Sequence, residues 1–360
     1  MKILHVITSL EIGGAEKLIV DILPMFRECG HEVEVAIFYG AETPFKKELE
    51  DKKIKVHSFG LGSVYNLLHV LRLRKLINSF DIVHTHNFTP QYYTVFAKLL
   101  SFSKVKLVTT EHSTHNRRRD KALFKLIEPF VYNQYDKIIC ISKKAEENLT
   151  EYLGSTSGVL TINNGINTQA FQEAMPANLL NSMKVAEDAK IIMQVAGFRK
   201  AKDQDCVIRS LKHLPENVVA VFVGDGERRS KCEELAKELG VAKRVFFLGV
   251  RSDIPALLKR SDIVVMSSHW EGLSLSSVEG MAAGKPMIAS DVEGLREVVG
   301  GAGLLFEKSN EKELAKHINE LLSNADYYEM IVKRCEGRSK DYDIKTMVDG
   351  YENVYKELFG

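Results

Sequence analysis

Short runs of β-branched and apolar residues alternate with longer stretches of helical spacing along this chain, and the alternation runs through the sequence twice. Such alternation predicts parallel sheets covered by helices, because two parallel strands are joined by a crossover that is usually helical. The first series of predicted strands comprises 2–8, 32–38, 54–59, 82–85, 105–111 and 137–141. The second series comprises 191–196, 218–223, 245–248, 263–266, 286–290 and 303–306.

The segments between the strands have helical spacing, notably at 15–27, 64–77, 90–100, 121–132, 205–211, 228–239 and 276–283. The second series begins after residues 168–189, which have the weak periodicity of a linker. We therefore predict an α/β protein with two Rossmann-like, doubly wound domains, 1–168 and 169–345. A C-terminal helical segment, 346–360, is a candidate to pack back on the first domain. Ligands bind at the carboxyl ends of the strands in such sheets, so the chemistry is expected in a cleft between the domains.

The overall composition excludes several classes of protein. With 49 Lys plus Arg and 48 Asp plus Glu, the net charge of +1 excludes a nucleic-acid binder that works by bulk charge. No apolar stretch approaches the roughly 20 residues of a membrane span, and the N-terminus lacks the pattern of a signal peptide. The five cysteines are scattered without a Cys-x-x-Cys pair, which is typical of reduced thiols in a cytoplasmic protein.

Positive charge is concentrated in one part of the chain. Residues 51–150 hold 17 basic and 8 acidic side chains, and the excess peaks at Arg117-Arg118-Arg119. Two interpretations stay open: a solvated helix face, or a docking surface for anionic lipid or a phosphate-bearing acceptor. The second interpretation makes Arg117 and Arg118 candidate acceptor-side residues. It also predicts peripheral association with the inner face of an anionic membrane.

Glycines follow two predicted strands where a backbone can approach a ligand closely. Gly13-Gly14 precede the first helical segment, whose N-terminus favours an anion, although a purely structural turn remains the alternative. Gly224-Asp225-Gly226 begins like the dinucleotide fingerprint Gly-x-Gly-x-x-Gly, but Arg229 stands where the third glycine belongs. No Gly-x-x-x-x-Gly-Lys-Ser/Thr run is present either, which excludes a P-loop nucleotidase.

The segment from Ser267 to Pro286 has the strongest chemical pattern, since it follows a predicted strand and opens a helix. Glu271 and Glu279 stand eight residues apart, the first in the loop and the second inside the helix. A carboxylate one turn into the helix can accept two hydrogen bonds from a vicinal diol such as a ribose. The alternative is a helix cap at Ser274, with Glu279 as a solvated side chain. The backbone N–H groups expected to point from the helix N-terminus toward a diphosphate are those of Gly272, Leu273, Ser274 and Leu275.

This segment resembles the Glu-x7-Glu motif of the retaining GT-B glycosyltransferases, specifically the family 4 (glycosyl transferases group 1) type. The resemblance covers nearly the whole chain, because further elements agree with the family in the same order. These elements are Gly13-Gly14-Ala15-Glu16, Thr110-Glu111-His112, Ile141-Ser142-Lys143, Asn164-Gly165-Ile166-Asn167 and the run from Phe247 to Pro255. The resemblance implies the GT-B fold, with two Rossmann-like domains facing across a cleft.

The resemblance further implies transfer of a hexose-type sugar, with retention, from a nucleoside-diphosphate sugar to an acceptor. The acceptor is expected to be lipid-linked or a growing surface-polysaccharide glycan. His112 is expected to touch the transferred sugar, Glu271 to hold its hydroxyls, and Glu279 to hold the ribose. Lys202 and the helix amides are expected to stabilise the leaving diphosphate, so no metal or other cofactor is expected. The remaining expected donor-binding residues are Gly13, Gly14, Gly224 and Arg251.

One departure from the family concerns the cations that grip the diphosphate. The family usually has Gly-Arg-x-x-x-x-Lys after the first strand of the second domain, whereas this chain has Val195-Ala-Gly-Phe-Arg-Lys-Ala-Lys202. Lys202 falls on the family lysine, but Gly197 occupies the position of the arginine. We expect Arg199 to supply the second charge from a shifted position and to act with Lys202 in catalysis. Lys200 is the alternative.

The histidines allow more than one interpretation. His84-Thr85-His86 places two imidazoles on one face of a strand, but a metal site is disfavoured without a third ligand at a suitable spacing. His86 is expected to line the acceptor side. For His112, a core position remains the alternative to a contact with the sugar.

Two other functions compete with glycosyl transfer. A non-catalytic protein of the same fold, which binds a nucleotide sugar or a glycan, draws support from Gly197. The intact Glu271, Glu279, Lys202 and His112 count against it, and donor turnover would separate it from a transferase. A two-domain dehydrogenase or epimerase is disfavoured because the dinucleotide fingerprint is absent.

Overall fold

Parallel strand pairing dominates the structure, a computed structural model that describes residues 1–11, 13–112, 122–155 and 157–360. Arg117 and Arg118 lie outside the described residues. The described residues divide into two units by their internal contacts. Unit 1 comprises Met1–Asn163 and Met347–Gly360, and unit 2 comprises Asn164–Thr346.

Unit 1 is built on a seven-stranded parallel sheet. Its strands are β1 (Lys2–Ile7), β2 (Glu32–Ile37), β3 (Lys55–Ser58), β4 (Ile82–His86), β5 (Lys106–Glu111), β6 (Lys137–Cys140) and β7 (Val159–Thr161). They lie in the order β3-β2-β1-β4-β5-β6-β7. The connecting helices are α1 (Gly14–Glu28), α2 (Pro44–Asp51), α3 (Leu68–Leu76), α4 (Phe88–Ser101), α5 (Ala122–Tyr132) and α6 (Lys143–Leu153).

Unit 2 is built on a six-stranded parallel sheet. Its helices are α7 (Thr168–Gln172), α8 (Leu179–Met183), α9 (Gln204–Ser210), α10 (Arg229–Glu238), α11 (Ile254–Arg260), α12 (Leu275–Ala282), α13 (Glu293–Val299), α14 (Glu311–Ser323) and α15 (Ala325–Ser339). Its strands are β8 (Lys190–Val195), β9 (Val218–Val223), β10 (Val245–Phe247), β11 (Ile263–Met266), β12 (Met287–Ser290) and β13 (Leu304–Phe306). The strand order is β10-β9-β8-β11-β12-β13.

The last helix of the chain, α16 (Ile344–Phe359), belongs to unit 1 from Met347 onward. Tyr351 and Tyr355 are fully buried, and the Tyr355 hydroxyl lies 2.6 Å from Nδ1 of His84. The C-terminal helix therefore completes the core of the first sheet. Within the described ranges, no helix combines the length and the apolarity that crossing a bilayer requires.

Most strand residues are apolar, as expected of parallel sheets that are covered on both faces by helices. All six residues of β9 are buried, for example. Where the strand order reverses, between β1 and β4 in unit 1 and between β8 and β11 in unit 2, the loops at the carboxyl ends diverge. Ligands of doubly wound sheets bind at this point, so these loops are the place to look for a site.

The doubly wound parallel architecture predicted from the sequence is confirmed. Each predicted strand is present, with ends within one residue of those expected. Sequence analysis missed β7, and it missed α7 and α8 inside the predicted linker 168–189. Elements of three to five residues are too short to show a hydrophobic period, which explains all three omissions.

Candidate functional site

The loops that follow β8 and β11 are joined to each other at the carboxyl edge of unit 2. Lys202 and Ser268 form an antiparallel bridge, and the backbone N–H of His269 donates to the carbonyl of Ala201 at 2.8 Å. Beneath them, the side-chain amide of Gln194 donates to the carbonyl of Ser267 at 3.1 Å. This joint places the candidate residues of two separate sequence motifs side by side.

Lys202 and Glu271 form an ion pair across this joint. Both side chains are mostly buried, with 16% and 18% of their surface exposed. The hydroxyl of Ser268 also donates to Oε2 of Glu271, at 3.3 Å. A lysine held in this way is a fixed cation with a partly dry surrounding, which suits it to bind an anionic group.

Glycines fix the loop that carries Lys202. Gly224 has a φ of +133°, and a side chain there would collide with the carbonyl of Ala196. Gly226, with a φ of +152°, approaches the backbone of Phe198 equally closely. The backbone N–H of Phe198 donates to the carbonyl of Asp225 at 3.0 Å. Only glycine allows this approach, so Gly224 acts by holding the loop at 196–198.

Within that loop the Arg199 side chain folds back over Gly197. Its Nε lies 3.6 Å from the point where a side chain on Gly197 would begin. Arg199 and Lys200 are both exposed. The Arg199 side chain thus lies beside Gly197, and its role as the second cation remains a prediction.

Helix α12 begins directly after the loop that contains Glu271 to Ser274. Ser274 does not cap it through its side chain, because the Ser274 hydroxyl instead accepts a hydrogen bond from Ser277 at 2.9 Å. The backbone of Glu271 and Gly272 packs against Gly294 at the start of α13, where no side chain would fit. The N-terminal amides of α12 therefore remain available to a ligand rather than to a serine cap.

Glu279 lies on α12 with a half-buried carboxyl group. Burial raises the pKa of this carboxyl to about 7. No hydrogen-bond or ion-pair partner for it is present in the part of the chain that the structure describes. A carboxyl group that is desolvated but unpaired is typical of a binding site rather than of a solvated helix face.

Arg251 lies in the loop after β10, and its guanidinium forms a bidentate ion pair with Asp253 at 2.8 and 2.6 Å. This pair raises the pKa of Arg251 and lowers that of Asp253. The guanidinium is paired with a carboxylate, as the Lys202 ammonium is, and its predicted contact with a donor remains a prediction.

The carboxyl edge of unit 1 carries a group of histidines. His112 follows β5, and its Nε2 lies 3.0 Å from Nδ1 of His86 at the end of β4. Nε2 of His86 lies 3.0 Å from Nδ1 of His5 on β1. His84 bonds instead to the hydroxyls of Tyr355, at 2.6 Å, and Thr110, at 2.7 Å.

The structure corrects the expected position of His86. We expected it to line the acceptor side, but its ring is fully buried and both its nitrogens are occupied by His5 and His112. It therefore reaches a ligand only through His112, which is partly exposed. Burial lowers the pKa of His112 to about 4, so this imidazole is neutral near pH 7.

Sequence analysis missed His5 as a member of this cluster. Its signal was available only through the strand order, since β1 pairs with β4 and His5 lies beside His84 in the register. Ring nitrogens of His5, His84 and His86 lie within 4.8 Å of one another. Both nitrogens of His84 are already hydrogen-bonded to the hydroxyls of Tyr355 and Thr110. A metal ion bound to His84 would have to break one of these hydrogen bonds, so the cluster does not fit a metal site.

Gly13 and Gly14 form the start of α1, as expected of a helix N-terminus at the switch point of unit 1. Gly13 is in extended backbone, with the carboxylate of Glu16 folded against it. That carboxylate fills the place where an anion would approach the helix. The donor-binding role of Gly13 and Gly14 thus stays a prediction.

Solved structures establish the fold, and sequence relatives point to the class of protein. The structure of Anabaena Alr3699/HepE in complex with UDP matches with a TM-score of 0.85 at 23% identity, covering 99% of this chain and 100% of that one. This likeness shows that the fold is GT-B. The N-acetyl-alpha-D-glucosaminyl L-malate synthase of Bacillus anthracis is 25% identical over 96% of this chain and 94% of that protein. The UDP-Gal:alpha-D-GlcNAc-diphosphoundecaprenol alpha-1,3-galactosyltransferase of Escherichia coli is 26% identical over 83% of this chain and 81% of that protein.

Two family models match the chain in succession. Residues 12–170 match the model described as Glycosyltransferase Family 4, and residues 177–338 match the model described as Glycosyl transferases group 1. The protein is a glycosyltransferase of this group 1, family 4 type.

Proposed function

We propose that this glycosyltransferase moves a hexose, with retention of configuration, from a nucleoside-diphosphate sugar to a glycan or lipid-linked acceptor of polysaccharide biosynthesis. The observation that carries the proposal is the loop pair at the carboxyl edge of unit 2. There Lys202 is fixed by Glu271, and the Arg199 side chain lies over Gly197. Two cations beside a helix N-terminus suit a leaving group that gains negative charge as the anomeric bond breaks.

The named relatives support the choice of donor and acceptor. The Anabaena protein has solved structures in complex with UDP and with UDP-glucose. The Escherichia coli relative is named for UDP-Gal and a diphosphoundecaprenol acceptor, whereas the Bacillus anthracis relative is named for L-malate. A UDP-hexose is therefore the first donor to test, and a polyprenyl-diphosphate sugar is the first acceptor.

Each site residue has a role in the proposed reaction. Lys202 and Arg199 bind the diphosphate, Glu271 the sugar hydroxyls and Glu279 the ribose diol, which a carboxylate can bind through two hydrogen bonds. His112 contacts the transferred sugar. The acceptor hydroxyl forms the new bond to the anomeric carbon, the bond to the diphosphate breaks, and the leaving phosphate oxygen takes the acceptor proton. The cations of the chain take the place of a metal ion in this scheme.

The test is a transfer assay with UDP-, GDP-, ADP- and dTDP-hexoses and a synthetic polyprenyl-diphosphate sugar. NMR of the product reports the anomeric configuration, and retention is expected. Activity is expected to survive excess EDTA, and a loss that manganese or magnesium restores would contradict the metal-free scheme. Trp270, the only tryptophan, is exposed beside Glu271 and reports donor binding by fluorescence. Binding without turnover of any donor would favour the non-catalytic alternative.

A further inference from the structure

Large apolar side chains are exposed on three neighbouring helices of unit 1. Helix α3 packs against α4, and α4 contacts α5. Their inward side chains share one core, so their outward side chains leave the same side of the sheet. The exposed apolar residues are Leu67, Leu68, Leu71, Phe96, Leu99, Leu100, Phe102, Leu126 and Phe130. Together these residues form the apolar face of unit 1.

The spacing of the apolar face is that of a buried helix surface, although nothing in the described residues covers it. Phe96, Leu99 and Leu100 stand at positions i, i+3 and i+4 of α4, which places them on one side of the helix. Phe102 is 93% exposed and has a left-handed backbone with a φ of +53°, where Asn or Gly costs less. Single exposed apolar residues are ordinary, whereas a patch across three helices marks an interaction surface.

The charge around the apolar face is mainly positive. Residues 61–110 contain a single acidic side chain, Asp81, against six Lys and Arg. Lys98 and Lys106 pair with Asp136, at 3.7 and 3.1 Å. The exposed basic residues are Arg72, Arg74, Lys75, Lys104 and Lys125. An apolar patch within a basic surface is complementary to an anionic bilayer, whose headgroups attract cations while its acyl region takes up Leu and Phe side chains.

We propose that the apolar face docks this protein on an anionic lipid bilayer. The inference goes beyond the transfer reaction and does not depend on it, because binding is measured without any substrate.

The test is co-sedimentation with phosphatidylcholine vesicles, with and without phosphatidylglycerol. The variant Leu71→Gln/Leu99→Gln/Phe102→Asn changes only exposed side chains, so its melting temperature should match the wild type. Its partition onto phosphatidylglycerol vesicles should fall about tenfold, whereas the control Met175→Gln/Val250→Gln, exposed in unit 2, should bind as the wild type does.

Equal sedimentation of the wild type and the triple variant would overturn the proposal. A wild-type dimer that the triple variant dissociates, without vesicle binding by either, would overturn it too and assign the face to self-association. Binding that weakens but persists at high salt supports it, since salt screens the cations and leaves apolar insertion intact.

A second inference rests on the line of histidines His112, His86 and His5. Two hydrogen bonds of 3.0 Å join the three rings. A neutral imidazole carries one proton, so it donates from one nitrogen and accepts at the other. Both bonds therefore run in the same direction, and the proton position on His5 fixes the proton position on His112.

The surroundings of His5, at the buried end of the line, decide in which direction the two hydrogen bonds run. Nε2 of His5 is buried and has no hydrogen-bond partner among the described residues, and the ring stacks on Phe26 at 5.8 Å. A buried N–H group without an acceptor is rarer than a buried acceptor without a donor. Nε2 of His5 is therefore the bare nitrogen, and the protons of all three rings lie on Nδ1.

We infer that His5 and His86 are positioning residues that make His112 a hydrogen-bond donor through its Nδ1. The inference rests on the proposed contact of His112 with the transferred sugar, whose hydroxyl oxygens accept such a bond. Burial lowers the pKa of His5 to about 3 and that of His112 to about 4, which keeps the line neutral near pH 7.

Nitrogen NMR of the His112 ring tests the line without a substrate, so failure of the proposed transfer leaves this result standing. We expect a protonated Nδ1 and a bare Nε2. His5→Phe should give a mixture of tautomers and a severalfold lower kcat at unchanged donor KM. His5→Asn keeps a donor at the level of Nδ1, so it should restore the single tautomer of His112 and the wild-type kcat.

The matched control is His84→Gln, which is equally buried but lies outside the line. It should leave the tautomer of His112 unchanged. A protonated Nε2 in the wild type, or an equal effect of His84→Gln, would overturn the inference. An altered tautomer with unchanged kcat would overturn the positioning role.

Discussion

The carboxyl edges of the two sheets have the same topology and opposite chemistry. Both are doubly wound, and both present loops where the strand order reverses. The edge of unit 2 holds an ion pair, Lys202 with Glu271, and the further cation of Arg199. The edge of unit 1 holds buried imidazoles that are neutral near pH 7, with His112 as the exposed end. The shared topology thus places a candidate site at the carboxyl edge of each sheet. The side chains suit the edge of unit 2 to an anion and the edge of unit 1 to a neutral hydroxyl group.

The largest effect is expected from Lys202→Ala at the charged edge. The change removes the fixed cation and leaves Glu271 without its partner, so kcat/KM should fall at least about 100-fold, the scale of one lost transition-state contact to developing charge. Steady-state kinetics with the preferred donor measures this loss. Lys200→Ala, an exposed neighbour, is the control, and a loss below about threefold for Lys202→Ala would deny the charged edge its role.

At the neutral edge, His112→Ala should lower kcat roughly tenfold to 100-fold with little change in donor KM. A contact made chiefly in the transition state lowers kcat and kcat/KM together, whereas a uniform binding contact raises KM alone. Kinetics combined with thermal melting decides between the two roles of His112. A low melting temperature with a proportional loss of donor binding would show that His112 belongs to the core.

Arg199→Ala should cost about tenfold in kcat/KM, because this cation is exposed and more strongly screened than Lys202. Lys200→Ala should cost nothing measurable, since only Arg199 folds over Gly197. Restoring the family pattern offers a sharper comparison: Gly197→Arg in the Arg199→Ala background should recover activity. Full activity of Arg199→Ala, with a loss in Lys200→Ala, would show that the loop turns the other way.

The smallest effect concerns the pH dependence of stability. Burial raises the pKa of Glu279 to about 7, so the folded state holds this proton more tightly than the unfolded chain does. The free energy of unfolding should therefore fall as the pH rises from about 4.5 to about 7, by roughly 1 to 2 kcal/mol for a partly exposed group. Urea unfolding at pH 5 and pH 8 measures this change. Glu279→Gln should lack the fall, and an equal fall in that variant would assign it to other groups.

The structure pairs Lys202 with Glu271, two residues that the family resemblance had assigned to one site. Both follow buried strands, and such strands are recognised by their apolar runs. The neutral edge was predicted only in part, because the sequence patterns named His86 and His112 but not His5. His5 lies 81 residues from His86 in the chain, and the strand order β1-β4 is what brings the two rings together.

Two other features depend on packing that a local sequence pattern does not show. The apolar face repeats at the spacing of a core-facing helix, and a spacing of this kind does not show whether the side chains point inward or outward. The path of the loop that carries Arg199 depends on Gly224 and Gly226, which lie outside that loop. Their positive φ values allow their backbone to pack directly against the backbone of the loop. Long-range packing decided both.

The way in which Gly224 and Gly226 hold that loop also bears on how such an enzyme can change over time. The loop at 196–198 keeps its path through main-chain contacts, and these are indifferent to the side chain at position 197. An arginine can therefore be lost there and regained two residues later without rebuilding the scaffold. The presence of a cation in this loop and the sequence position that carries it are therefore independent of each other, as long as the two glycines are kept.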